Sequence, residues 1–178
     1  MGNHLHPGRQ APAIVNVLVE IPKGGSNKYE YDSRRGVFVL DRVLYSPLFY
    51  PCEYGLIAGT LGGDGDPLDA LVLSTFPTFT GCLIPARVVG ALRMRDEHGS
   101  DFRVLAACAC DPRYAGTREL DDVPGHIRRE IACFFESYKQ LEEKSVEIYG
   151  WVGRGQACKE ITRAIARAQR ATSVERSR

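Results

Sequence analysis

CLIPARVVGALRM (Cys82–Met94), RDEHGSD (Arg95–Asp101) and FRVLAACA (Phe102–Ala109) read in order as a strand, a turn and a second strand. Apolar and β-branched residues fill both arms, and His98-Gly99-Ser100 supplies the reversal. Asp96 and Asp101 flank the tip, so folding brings two carboxylates near each other. Upstream, Val15, Val17, Val19 and Ile21 alternate with Asn16, Leu18 and Glu20, and Pro22 to Ser26 breaks that strand. Lys28-Tyr29-Glu30-Tyr31 restarts one with Lys28 and Glu30 on a shared face. Asp32 to Gly36 turns the chain into Val37–Val43, and Tyr45 to Gly59 is aromatic and turn-rich. The last third changes period. Asp121 or Asp122 can cap a helix with Pro124 in its first turn, and Ile127, Ile131, Phe134, Phe135, Tyr138 and Leu141 recur at helical spacing. A second helix is expected over about 157–171, with Arg163, Arg167 and Arg170 on a solvated face. Strands with hairpin spacing followed by helices predict an α+β fold, mainly β in its core: a small antiparallel barrel flanked by two or three helices. Residues 1–178 are expected to form a single domain, with 1–12 as an N-terminal arm and 171–178 as a frayed tail.

Between the two halves lies Leu61-Gly62-Gly63-Asp64-Gly65-Asp66-Pro67-Leu68-Asp69. Carboxylates this close repel one another at neutral pH unless a cation shares the space. Their oxygens are hard ligands that suit Mg²⁺, Mn²⁺ or Ca²⁺ better than Zn²⁺. Gly65 and Pro67 make the segment a loop, and Ala70-Leu71-Val72-Leu73 after it reads as a buried strand. A solvated acidic turn is the plainer alternative. A calcium loop counted from Asp64 fails, because Asp69 and Thr75 stand where Gly and Glu are needed. No GxxxxGK[ST] or GxGxxG motif occurs in the chain.

The net charge of +1 argues against a nucleic-acid binder working through a large basic field. With 44% hydrophobic residues the chain can bury a core, and no apolar run or N-terminal signal pattern directs it to a membrane, so a cytoplasmic location is expected. Gly2 follows Met1, but His6 stands where a myristoylation motif needs Ser or Thr. Six scattered cysteines read as reduced, mostly buried thiols. Cys108 and Cys110 share a strand face and could be half of a soft-metal site, and His4 and His6 form a weaker pair.

In a barrel, alternate residues point to one side, so Glu20, Lys28, Glu30 and Arg42 can converge. A carboxylate cage with interspersed Lys and Arg suits phosphoryl transfer to water: divalent ions neutralise phosphate oxygens and acidify a bound water, while Lys and Arg hold the remaining charge. The four histidines offer no Ser-His-Asp set.

Asp64-Gly65-Asp66-Pro67-Leu68-Asp69 resembles the signature of the soluble family I inorganic pyrophosphatases of bacterial type. Val19-Glu20-Ile21-Pro22, Lys28-Tyr29-Glu30, Asp41-Arg42, Phe49 to Gly55, Asp96-Glu97…Asp101, Phe134-Phe135…Tyr138-Lys139 and Gly150-Trp151 follow in the family's order, over roughly residues 14–170. The resemblance implies an OB-like five-stranded barrel and hydrolysis of pyrophosphate to two phosphates. It implies several Mg²⁺ ions per site, with Mn²⁺ or Zn²⁺ as substitutes. It further implies a homohexamer, with neither nucleic acid nor membrane as partner. Carried over residue by residue, Asp64, Asp69 and Asp101 resemble ligands of the tight activating metal, Asp69 bridging to a second. Asp66 is then the general base for a water between those ions. Asp96 and Asp101 resemble ligands of a substrate-borne metal, Glu20 of a further one, and Glu30 acts through metal-bound water. Lys28, Arg42, Tyr138 and Lys139 match phosphate-holding groups, and Tyr54 a hydrogen-bonding position beside the water. Arg103, counted with these substrate-binding groups, stands where bacterial members carry Lys, an exchange that is not neutral, because Arg is planar and larger. Ala106 to Cys110 also departs from the family's pattern.

Taken without the resemblance, Phe49, Tyr50 and Tyr54 could be core aromatics, and Tyr138 could pack its helix. Glu30 and Arg42 could pair at the surface, and His126 could be structural or exposed. A weakened paralogue that binds phosphate compounds or a protein partner is the alternative function. A single-strand nucleic-acid barrel is the other, and it would want a basic face where this one is acidic.

Overall fold

The computed structural model describes residues 5–97 and 99–176, with side chains to 173. His4 and His98, and with them the expected His4–His6 pair and the centre of the hairpin turn, lie outside the described residues. The strands are β1 (Ile14–Ile21), β2 (Asn27–Asp32), β3 (Val37–Val43), β4 (Glu53–Ile57), β5 (Asp69–Leu73), β6 (Leu83–Asp96), β7 (Gly99–Cys108) and β8 (Glu147–Gly153). The helices are α1 (Gly125–Ser137) and α2 (Arg154–Arg176).

The main sheet runs β1-β4-β5-β7-β6-β8, and a further β1–β6 pairing closes β1, β4, β5, β7 and β6 into a ring. The expected five-stranded OB-like barrel is thus present, with β8 added to β6 outside the ring and β2–β3 as a separate hairpin. One ring pairing, β5 with β7, is parallel, where the sequence pattern predicted antiparallel neighbours throughout. Closure rests on β6. Its Leu83–Arg87 half pairs with β1, while Gly90–Arg95 pairs with β8. A register shift between Val88 and Gly90 separates the halves, and Val88 and Val89 face different cores as neighbours in a strand do. Bulges of this kind bend a strand enough to serve two partners.

Two apolar layers result. Ala157, Ile161 and Ala164 of α2 meet Val15, Val17, Val19, Val104 and Ala106, small side chains that allow a close helix–strand approach. On the other layer Ile131, Phe134 and Phe135 of α1, with the adjoining Tyr138, meet Tyr50, Tyr54, Leu92 and Leu105. Burying a side chain such as Ile131 or Ile161 contributes about 1.5–3 kcal/mol. The rings of Tyr50 and Phe134 lie 4.7 Å apart, so Tyr50 is a core aromatic, whereas Phe49 is exposed. Gly55 leaves no room for a side chain beside β1: a Cβ there would sit 2.0 Å from the Leu18 carbonyl oxygen.

Several local expectations are corrected. Residues 53–57 form β4 within the stretch read as turn-rich; all five are buried, so no alternation betrays the strand. Leu120–Asp122 is a separate 3-10 turn closed by reciprocal Glu119 and Asp122 caps, and α1 begins only after Pro124. Leu141 lies beyond the helix in another 3-10 turn and is exposed. α2 begins three residues before the expected start and continues through Arg176, into the segment expected to fray. Arg167 does not belong to a free solvated face, since it donates to the Leu61 carbonyl at 2.8 Å and to Glu160 at 2.7 Å. All six cysteines are free, but only Cys52 is fully buried.

Candidate active site

The acidic loop spans β4 to β5 and is tied at its base. Thr60 donates to the Ile57 carbonyl at 2.7 Å and accepts from the Leu68 amide at 3.0 Å. The Ala164 carbonyl of α2 accepts from the Leu61 amide at 3.1 Å, so the helix holds the loop's entry. Within the loop, Gly65 takes a positive φ of 98°, and the Asp66 amide donates to Asp64 at 3.1 Å. Asp66 therefore projects from a short, pinned turn. Loss of water around it, then the charges of Asp64, Asp69 and Glu30, raise its carboxyl above the ordinary range.

Asp69 opens β5. The parallel register sets Ala70 opposite Val104, which brings Asp69 beside Arg103 of β7. The Arg103 guanidinium, 7% exposed, donates to Asp69 and to the Tyr54 hydroxyl, and to Asp101 at 2.5 Å. It lies over the rings of Tyr54 (5.2 Å) and Phe135 (5.1 Å). Tyr54 in turn donates to Asp69 at 2.7 Å. Burial opposes the guanidinium charge, but Tyr54, Asp69 and Asp101 outweigh it and raise its pKa. Its Nε is buried with no hydrogen-bond partner. Asp101 is raised by burial first, then by Asp69 and Asp96, so these carboxylates share one electrostatic environment.

Two further groups rim this centre. Lys139, just past α1, donates to Asp96 at 2.9 Å and to Glu97 at 3.2 Å, and Lys144 reaches Glu97 at 3.1 Å. Against some desolvation, Glu97's own backbone amide and these lysines hold its carboxyl down to about 2. On the β2–β3 hairpin, Lys28 contacts Glu30 and donates to Asp41 at 3.2 Å. Arg42 donates to Asp41 at 2.5 Å and to Glu142 at 3.0 Å. Glu20 of β1 accepts the Tyr31 amide at 2.8 Å. Burial above all, and Asp69 and Glu30 in addition, push its carboxyl up to about 7. Tyr138 is buried among the α1 aromatics, its ring stacked 5.2 Å from that of Phe134 and 5.7 Å from the Lys139 ammonium.

The sequence-predicted residues thus meet at one end of the barrel. Their pairing differs from expectation: Lys28, Arg42, Arg103 and Lys139, expected as phosphate-holding cations, each already contact carboxylates. Sequence reasoning assigned nothing to Asp41, Glu97 or Glu142. Asp41 and Glu97 adjoin quoted motif residues, but Glu142 meets Arg42 across 100 positions and leaves no local signal.

Among the described residues, no three His, Cys, Asp or Glu side chains stand together as a ready metal cage. The space between Asp69 and Asp101 is taken by the Arg103 guanidinium. The donor set nevertheless fits a hard divalent cation: carboxylate oxygens, Asp66 and Asp101 raised by burial first and by neighbouring carboxylates in addition, and an exposed loop aspartate beside them.

A family model described as inorganic pyrophosphatase matches residues 17–169. The inorganic pyrophosphatase of Geobacillus stearothermophilus is 51% identical over 154 residues, 86% of this chain and 93% of that one. That of Thermus thermophilus is 47% identical over 163 residues, 90% and 93% of the two chains. Among solved structures, the Thermus thermophilus inorganic pyrophosphatase superposes with a TM-score of 0.91 at 44% identity, covering 94% of this chain and 98% of its own. The Helicobacter pylori inorganic pyrophosphatase gives 0.89 at 39%, covering 93% and 98%.

Proposed function

Since the chain belongs to the family I inorganic pyrophosphatases of bacterial type, and so hydrolyses pyrophosphate to two phosphates with the family's dependence on metal, we propose how its own residues divide that work. The ligands are assigned to Asp64, Asp69, Asp96 and Asp101, with Glu20 and Glu30 at the hairpin side, and the metal to Mg²⁺. When bound, such ions supply charge neutralisation and a more acidic attacking water. Asp66 is the base that accepts the water's proton, and its raised affinity for protons suits that task. Lys28, Arg42 and Lys139 hold the phosphate oxygens, exchanging their present carboxylate partners for substrate. Tyr54 orients Asp69 through its 2.7 Å hydrogen bond, and Tyr138 adds a donor near Arg42.

What supports this reading most is the meeting of Asp69 and Asp101 on one guanidinium, carboxylates 32 positions apart drawn to a common point beside the loop that carries Asp66. The weakened-paralogue alternative is not favoured, given 51% identity to an enzyme of that name. The proposal includes a cytoplasmic location and, by resemblance to the bacterial-type members, a homohexamer; exposed Phe76 and Phe79 offer apolar surface for association. No helix of the described residues is long and apolar enough to cross a membrane.

Phosphate release from pyrophosphate, with Mg²⁺ and with chelator, tests the assignment. Turnover that requires Mg²⁺ and collapses in Asp66→Asn is expected. Full turnover in that variant would remove Asp66 from its role. Light scattering after size exclusion tests the hexamer.

A further inference from the structure

Cys108 ends β7 and Cys110 follows it at the surface, with their Sγ atoms 3.3 Å apart. The backbone that carries the contact is held on both sides. Ala109, between them, donates its amide to the Pro85 carbonyl of the preceding strand at 2.8 Å. The Asp111 amide turns back to the Cys108 carbonyl at 3.2 Å. The Asp111 carboxylate is itself anchored, accepting the Thr75 amide at 2.8 Å and the Arg113 amide at 3.0 Å. Cys108, Ala109 and Asp111 are therefore tied down around Cys110, with the two thiols facing each other. Preorganisation of this kind raises the effective concentration of one thiol toward the other.

We propose that Cys108 and Cys110 form a reversible intramolecular disulfide by exchange with a low-molecular-weight disulfide. The exposed Cys110, as thiolate, attacks one sulfur of R–S–S–R. A Cys110–SR bond forms, the R–S bond breaks, and RS⁻ leaves to take up a proton. Cys108 then gives its proton to solvent and attacks the Cys110 sulfur, forming Cys108–Cys110 and expelling the second RS⁻. Two protein thiols lose two electrons and two protons, and one small disulfide becomes two small thiols. Partial burial and the contact with Cys110 push the Cys108 thiol up to about 11, so the second step draws on a small thiolate fraction at neutral pH, offset by the proximity of the two sulfurs. The bond would close across a single intervening residue next to the Asp111 anchor, far along β7 from Asp101 and Arg103. A soft-metal site on this pair lacks the further His, Cys, Asp or Glu ligands it would need among the described residues.

The test uses the full chain and oxidised glutathione, followed by thiol alkylation and tryptic mass mapping. The peptide Val104–Arg113 carries both thiols and none of the other four. It is expected to lose both alkyl labels and to weigh two hydrogen atoms less, with recovery on adding a reducing thiol. Cys133, equally exposed, is the internal reference and is expected to hold only a mixed disulfide. Closure should quicken about tenfold per pH unit across neutral to mildly alkaline solution, as the Cys108 thiolate fraction grows. Cys108→Ser should trap the mixed disulfide on Cys110, and Cys110→Ala should abolish the closed form. Each variant is first checked for pyrophosphate hydrolysis as evidence of folding. A peptide that stays doubly alkylated, or a wild-type Cys110 that retains glutathione as Cys133 does, overturns the proposal.

Discussion

Arg103 of β7 donates to Asp69 at the head of β5, two side chains brought together by the parallel register that sets Ala70 opposite Val104. The same guanidinium holds Asp101 at 2.5 Å, so one buried cation separates two carboxylates assigned to metal. A guanidinium there is a resident counter-ion. Removing one partner of a buried ion pair costs about 3–5 kcal/mol, because the remaining charge is left uncompensated. Arg103→Met is therefore expected to destabilise metal-stripped protein by about that amount, and Mg²⁺ should restore most of the loss. Urea unfolding with chelator and with Mg²⁺ measures both. An equal loss in the two conditions would show that the guanidinium serves packing alone.

Among the described residues, Asp66 makes no side-chain hydrogen bond to the barrel like those of Asp69 or Asp101, and the hydrogen bond from its backbone amide to Asp64 survives any change at its own carboxyl. Asp66→Asn should leave thermal stability and Mg²⁺ binding near the parent values. Turnover should fall by about 10²–10⁴-fold, the usual contribution of a positioned proton acceptor. Calorimetric Mg²⁺ titration beside a phosphate-release assay separates the two effects. A variant that loses metal affinity in step with rate would make Asp66 a ligand and not a base.

Gly55 gives a prediction about the scaffold. An alanine Cβ would meet the Leu18 carbonyl oxygen at 2.0 Å and Val19 Cα at 2.9 Å, both backbone atoms that cannot swing aside. Gly55→Ala should therefore force β1 and β4 apart and cost more than about 3 kcal/mol. Because Tyr54 is the adjoining residue, activity should fall together with the unfolding midpoint. A normal midpoint would mean that the strands can separate freely.

The parts of this arrangement that were legible in the sequence have a local cause. Alternation betrayed β1, helical spacing betrayed the Ile131–Phe135 stripe, and the crowded loop aspartates betrayed the acidic mouth. β4 escaped because residues buried on every side show no period of two. The start of α1 differs from expectation because Asp122 does cap, but it caps a 3-10 turn at Arg118 and Glu119. The Arg103–Asp69 contact depends on a parallel pairing between strands some 30 residues apart, which no window of sequence encodes. Likewise Arg42 meets Glu142 only after the hairpin folds against the turn that follows α1.

Glu20 makes stability depend on pH in a calculable direction. Its carboxyl is pushed from an ordinary 4.5 to about 7, chiefly by burial and further by Asp69 and Glu30, against the Tyr31 amide and Lys28. In metal-stripped protein the folded chain then holds a proton that the unfolded chain has released, across the window from 4.5 to about 7. Stability falls with rising pH wherever the folded state binds more protons. Its contribution is thus whole below pH 4.5 and lost as pH passes about 7. The full swing is on the order of 3 kcal/mol at most. Glu20→Gln keeps an oxygen for the Tyr31 amide and carries no charge, so it should flatten this slope and be the more stable protein at mildly alkaline pH. Urea unfolding in chelator at several pH values compares the two. Parallel slopes would show that Glu20 is ionised in the folded, metal-free protein and that water or Lys28 screens it.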